Sequence, residues 1–307
     1  MSRSARTELF AKWLQGSLVM ADMGLSAGGR WWVDGNNAKA GATAGYGRSP
    51  DKPFSTIAAA LAAAVTHDRV YVLPDHAEAA LTLAASFTFG VSGVEVIGLG
   101  RGTNRPSFVF TAAAGSVNMN ATNCKLQNVR LTSYFTNGIT APINIAASGC
   151  EVDSCSFEET LSTQEMLAGI KIAAGCSQVR ITHNTYNGIA GGRLVSFILA
   201  AGAADGLVIA DNYLSCDASA SVIDALTAKS LEVQILRNLV INLDTTAGLG
   251  ISVKSDTTGF ADGNRVVNLK NAVYGLVGAG MAYGLNYCSN ALGASGVICP
   301  AVDNFPS

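Results

Sequence analysis

Apolar residues alternate with polar ones along most of this chain, and between Val94 and about Val266 the alternation repeats as one short pattern. It reads Cys124-x-Leu126-x-Asn128-Val129-x-Leu131, then Cys150-x-Val152-x-Ser154-Cys155-x-Phe157 and Val179-x-Ile181-x-His183-Asn184-x-Tyr186. Leu207-x-Ile209-x-Asp211-Asn212-x-Leu214 and Val233-x-Ile235-x-Arg237-Asn238-x-Val240 continue it. Val94-x-Val96-x-Gly98 foreshadows the series, and Gly259-x-Ala261-x-Gly263-Asn264-x-Val266 closes it more weakly. The first positions are separated by steps of 30, 26, 29, 28, 26 and 26 residues. A fixed period of this size marks a solenoid.

Alternation over four to six Val- and Ile-rich positions predicts strands rather than helix pairs. A second alternating run precedes each first one, as at Val117/Met119, Ile143/Ile145 and Ile170/Ile172, with small residues such as Ala173-Ala174-Gly175 between the two. Two or three short strands per turn, stacked on the next turn, make a parallel β-helix, expected here to run for eight or nine coils. Asn184, Asn212, Asn238 and Asn264 share one column, at the turn after the first strand. Coils stack about 4.8 Å apart, so these amides are expected to bond along the axis as a ladder.

The rest of the chain divides around this body into four parts: an arm over 1–30, a cap and first coils over 31–92, the β-helix over 93–283 and a tail over 284–307. In the arm, Glu8 to Asp22 places Leu9, Trp13, Leu14 and Leu18 along one face, which predicts an amphipathic helix. It either folds back on the solenoid or docks on a neighbouring subunit. In the second part, Ser55 or Thr56 is expected to cap a helix over Ile57–Val65, followed by the strand Arg69–Leu73. That helix would close the open end of the solenoid. The tail lacks regular alternation and is expected to cross the other opening or to reach a partner.

Composition narrows the function. Charged residues are 14% of the 307, glycine numbers 33 and the formal net charge is −2, without any dense Lys/Arg run. No nucleic-acid surface is expected, nor a membrane span, since no apolar stretch reaches about 18 residues. Arg3 and Arg6 precede a segment that Glu8 and Lys12 interrupt, unlike a signal peptide. The chain is therefore expected to be made and kept in a cytoplasm until something releases it. Seven cysteines show no zinc spacing. Cys124 and Cys150 share a column as stacked thiols or a disulfide, Cys155 and Cys176 read the same way, and Cys288 and Cys299 could pair.

The run Trp32-Val33-Asp34-Gly35-Asn36, Lys52-Pro53-Phe54-Ser55-Thr56-Ile57 and Asp68 to Glu78 resembles the opening of pectate-lyase-like right-handed β-helix proteins. With Val94 to Gly102 and Arg105-Pro106-Ser107-Phe108 following, it is similar to a family of tailed-phage β-helix proteins encoded beside capsid genes. The resemblance covers residues 31 to about 160. It implies a virion structural protein, most simply a homotrimeric head-decoration or cement protein whose partners are the major capsid protein and its own copies. The alternative is a tail spike or fibre component that binds, or cleaves, surface polysaccharide.

β-helices often carry lyase or hydrolase sites, which need clustered carboxylates and a basic group on neighbouring coils. The best cluster the chain offers is His183, Asp211 and Arg237, stacked just before the asparagines. Read without chemistry, it is an exposed column of alternating charge, worth about 0–1 kcal/mol per pair. Asp153, Arg180 and Glu232 stand at or beside outward strand positions, and Glu158-Glu159 reads as a solvated turn. His67 would face the end of the cap helix, and His76 belongs to the framework of the opening motif. The expectation is a non-catalytic protein, with no catalytic, cofactor or metal residues.

Overall fold

The computed structural model describes residues 28–82, 86–192, 194–246, 248–269, 276–277, 280–288 and 297–299. The expected arm helix lies outside them. The described chain is a parallel β-helix of three sheets, with 10, 8 and 10 strands. Each complete coil takes one strand from every sheet, so the sheet of eight fixes eight complete coils. A coil passes from sheet 1 to sheet 3 and then to sheet 2, as in Lys125–Gln127, Arg130–Ser133 and Ile143–Ile145. The strands of each sheet pair in parallel except at the end, where Asn286–Cys288 meets Val297–Cys299 antiparallel.

Alternation decides which side chains fill the interior. Each sheet puts Val, Ile, Leu or Phe inward at matching heights, for example Val96, Leu126, Val152, Ile181 and Ile209 on sheet 1, all at 0–1% exposure. Aromatic rings stack inside where coils allow it. The Tyr186 and Phe197 rings lie 4.5 Å apart, and Phe157 meets Phe197 edge-on at 4.8 Å.

Each repeat read from the sequence is two short strands joined by a two-residue corner, whose first residue, just before the asparagine column, has left-handed backbone. Asn128, Ser154, His183, Asp211 and Arg237 have φ between 52° and 58°, and Gly263 has 67°. Short polar side chains tolerate this region best, which is why the column is polar. A second left-handed column enters sheet 1 at His67, Gly93, Asn123, Gly149, Gln178, Gly206 and Glu232. At Gly93 an added Cβ would lie 2.3 Å from the His67 ring, so this coil uses glycine where other coils use Asn, Gln or Glu.

The cap helix runs over Ile57–Ala63, two residues shorter than expected at its C-terminal end. Thr56 is its N-cap, with Oγ1 accepting from the Ala59 N–H at 3.2 Å, and the Glu78 carboxylate accepts from the Ile57 N–H at 2.6 Å. The helix stops because the chain must turn through His67 into the strand Arg69–Val72. His67 is therefore a corner residue rather than a partner of the helix end. His76 is fully buried: Nδ1 accepts from the Gly35 N–H at 2.8 Å, so the proton on Nε2 points at Glu78, 3.2 Å away. It pins the opening loop, as its motif implied.

The asparagine ladder is present and one rung longer than the repeat suggested. Asn184, Asn212, Asn238 and Asn264 each donate their side-chain amide to the Oδ1 of the next rung, at 2.8–3.0 Å, ending on Asn286. Each Oδ1 also accepts the preceding rung's backbone N–H, as between Asn212 and Asn238 at 3.1 Å. Regular coiling thus passes the boundary expected at 283/284, because Asn286 repeats the corner chemistry inside what composition marked as tail.

Candidate functional site

The left-handed corner between sheets 1 and 3 turns its side chains outward, and there the structure gathers a set of charged and polar groups. His183 Nδ1 donates to Asp153 Oδ1 at 2.9 Å, and its Nε2 lies 3.9 Å from Asp211 Oδ2. Arg237 grips Asp211 with two bonds, at 2.7 and 2.6 Å. Asp153 accepts also from Thr182 Oγ1 and Gln127 Nε2, both at 2.9 Å, with the Lys125 ammonium at 3.8 Å. The expected stack of His183, Asp211 and Arg237 therefore exists, and Asp153 joins it as its most buried member.

The electrostatics follow from these contacts. Burial lifts Asp153, but the bonds from His183 and Thr182 and the charge of Lys125 outweigh it and hold the carboxyl below its ordinary value. Arg237 holds Asp211 low in the same way. An imidazole oriented by a carboxylate can act as a base, yet no nucleophile completes the arrangement: the Thr182 hydroxyl donates to the same Asp153 oxygen. Among the described residues no group of three His, Cys, Asp or Glu side chains could hold a metal ion. The His183 side chain is 61% exposed, so nothing excludes water from it.

The remaining candidates separate. Arg180 sits at the outward strand position, Glu232 occupies the other left-handed corner, and both line an open groove of about 440 Å³ with Gln178, Asp205 and Gln234. Arg180 makes no ion pair among the described residues. Glu158 is exposed, 3.9 Å from Arg130 on the adjacent coil. Glu159 is not solvated as expected: its carboxylate accepts from the Tyr186 hydroxyl and from the Ile189 N–H at 3.1 Å, and burial raises its pKa. The Tyr186 side chain and the Ile189 backbone, 27 and 30 residues away, supply these bonds, and the local sequence Glu158-Glu159 carries no sign of that.

A second open groove crosses the outer face of sheet 2, floored by Asn118, Asn144 and Lys171 and walled by the small residues Ala113, Ala114 and Gly115. Asn144 donates to Asn118 at 3.4 Å, and Lys171 makes no ion pair among the described residues. The sequence reading missed this groove, although the column was visible as the residue between each pair of inward positions, Val117/Met119, Ile143/Ile145 and Ile170/Ile172.

Comparison with known proteins bears on the fold. The chain is similar to a solved rhamnogalacturonan lyase, with a TM-score of 0.54, 15% sequence identity and alignment over 78% of this chain and 70% of that one. At that identity the likeness shows a shared parallel β-helix. No protein-family profile and no curated protein matches the chain in sequence.

Cys124, Cys150, Cys155, Cys176 and Cys216 are free and buried. Cys124 and Cys150 stack as thiols, and contact with Cys124 together with burial pushes the Cys150 thiol far up and keeps it protonated. Cys288 is disulfide-bonded.

Proposed function

We propose that this protein is a structural component of a tailed-phage virion. Made in the host cytoplasm, it binds the outer head surface as a homotrimer, through the major capsid protein, and stabilises the shell without catalysis. The observation that carries this reading is the pairing of its charged groups. Asp153, His183, Asp211 and Arg237 are bound to one another along the corner, and Lys125 to Glu151 at 2.9 Å, so the acids and bases best placed for chemistry serve the coil stack. The resemblance of residues 31 to about 160 to phage β-helix proteins supports the same reading.

Quantitative mass spectrometry of purified virions tests it, with the major capsid protein as reference. The expected result is hundreds of copies in simple ratio to the capsid subunit, and absence from virions would reject the proposal.

A second reading, a protein that binds polysaccharide, has one observation in its favour: the Asn118, Asn144 and Lys171 groove on a fold shared with a lyase. Amides and a free ammonium suit hydroxyls and an acidic group of a glycan. A handful of copies per virion, with glycan retention that Lys171→Ala abolishes, would favour it instead.

A further inference from the structure

The outer faces of sheets 1 and 3 change character half-way along the solenoid. On sheet 3 the outward positions of the middle coils are Arg130, Thr132, Ser156, Glu158, Thr185 and Asn187, while those of the later coils are Tyr213, Ser215, Leu239, Ile241, Arg265, Val267 and Tyr287. Tyr213 and Tyr287 are 42% and 46% exposed. Sheet 1 changes in step, from Lys125, Glu151 and Arg180 to Val208, Gln234, Leu236 and Phe260, the last 41% exposed. Two neutral, largely apolar faces thus meet at one corner, over the same coils. Patches of this kind mark association surfaces.

We propose that these two faces join copies of this chain, sheet 1 of one copy against sheet 3 of the next, with solenoid axes parallel. This rests on the homotrimer proposed above and names its interface. Charge identifies the occupant. Rotation about an axis parallel to the solenoid sets facing residues at equal heights, and a coil's two strands share a height. In the later coils, sheet 1 carries one outward charge among the described residues, Asp262, and sheet 3 carries one, Arg265. They belong to the same coil, so each Asp262 faces the neighbour's Arg265, with Arg237 of its own copy also near the carboxylate. Asp262 Oδ1 accepts from the Leu285 N–H at 2.7 Å and Oδ2 accepts no bond among the described residues; Arg265 is exposed and unpaired there.

The same operation places like charges together in the middle coils. In the register that sets Asp262 against Arg265, Gln127 meets Arg130 on one coil, and on the next the outer positions Glu151 and Glu158 meet as like charges. Opposite charges at one end and like charges further along confine the contact to the later coils. Two different patches that meet at a corner form a head-to-tail contact, which closes into a ring when the rotation between copies is a whole fraction of a turn, one third for the trimer. The Asp211–Arg237 pair lies on that corner and brings no net charge to the centre.

Sedimentation velocity of the full chain at micromolar concentration tests the interface. The wild type is expected to run as a trimer, and Leu239→Glu or Arg265→Asp to weaken assembly at least tenfold with unchanged circular dichroism and melting. Combining Asp262→Arg with Arg265→Asp is expected to restore assembly, while Glu158→Lys leaves it unchanged. A wild-type trimer that Leu239→Glu and Arg265→Asp do not touch would overturn this interface and leave the trimer standing. Dissociation by Glu158→Lys would move the contact to the middle coils. A wild-type monomer would reject both the interface and the trimer.

Discussion

The middle and later coils of this solenoid solve one problem in two ways. Stacked coils must hold register, because a slip of one residue turns every inward side chain outward. In the middle coils the corner interior is apolar, with Val129 and Cys155 in the column, and polar pairing lies outside, in Lys125–Glu151 and the bonds to Asp153. From the coil of Asn184 onward, a buried amide chain to Asn286 fixes the register from within. Surface pairs contribute about 0–1 kcal/mol, whereas stranding a buried hydrogen-bonding group costs about 1–3 kcal/mol. On the coils after that of Asn184 the strand faces of sheets 1 and 3 become largely apolar, while the corner keeps its Asp211–Arg237 pair.

The sharpest way to break this contrast is to remove one rung. Asn238→Leu strands the Asn212 N–H and removes the donor to the Ile209 carbonyl. We expect a loss of about 3 kcal/mol or more from two stranded buried groups, read as a large fall in the thermal unfolding midpoint.

The external network should respond less. Asp153→Ala removes the acceptor shared by Thr182, Gln127 and His183, for an expected loss of about 1 kcal/mol after allowance for solvent screening. Because the folded carboxyl titrates below its ordinary value, this stabilisation is complete above about pH 4 and disappears as pH falls through the folded pKa. Unfolding curves of wild type and variant should therefore converge in acid.

Glu159 has the opposite sign and the smallest effect. Its folded pKa is raised by burial, so the ionised form costs stability as pH rises from about 4 through the folded value. Glu159→Gln should leave stability near that of wild type in acid and raise it slightly, by under about 1 kcal/mol, at neutral pH, measured by the same melts.

Much of the fold was legible because a period of two sets in and out along a strand, and a period near 27 residues sets which coils stack. The ladder could be read for the same reason, as one residue type in one column. Asn286 was hidden because the pattern around it is interrupted by Gly284 and Leu285, and Asp153 read as a separate outward candidate rather than a member of the stack because it sits one position before the polar column that its carboxylate serves.

The sequence by itself determined the strands, the coil stack and the amide column, since each depends on residues a fixed distance apart. Only the tertiary structure decided that Asp153 meets His183, that Tyr186 covers Glu159, and that Asp262 and Arg265 share a height on adjoining faces. Those relations depend on corner geometry. A left-handed residue rotates one strand against the next, and alternation alone does not encode the direction in which the new face points.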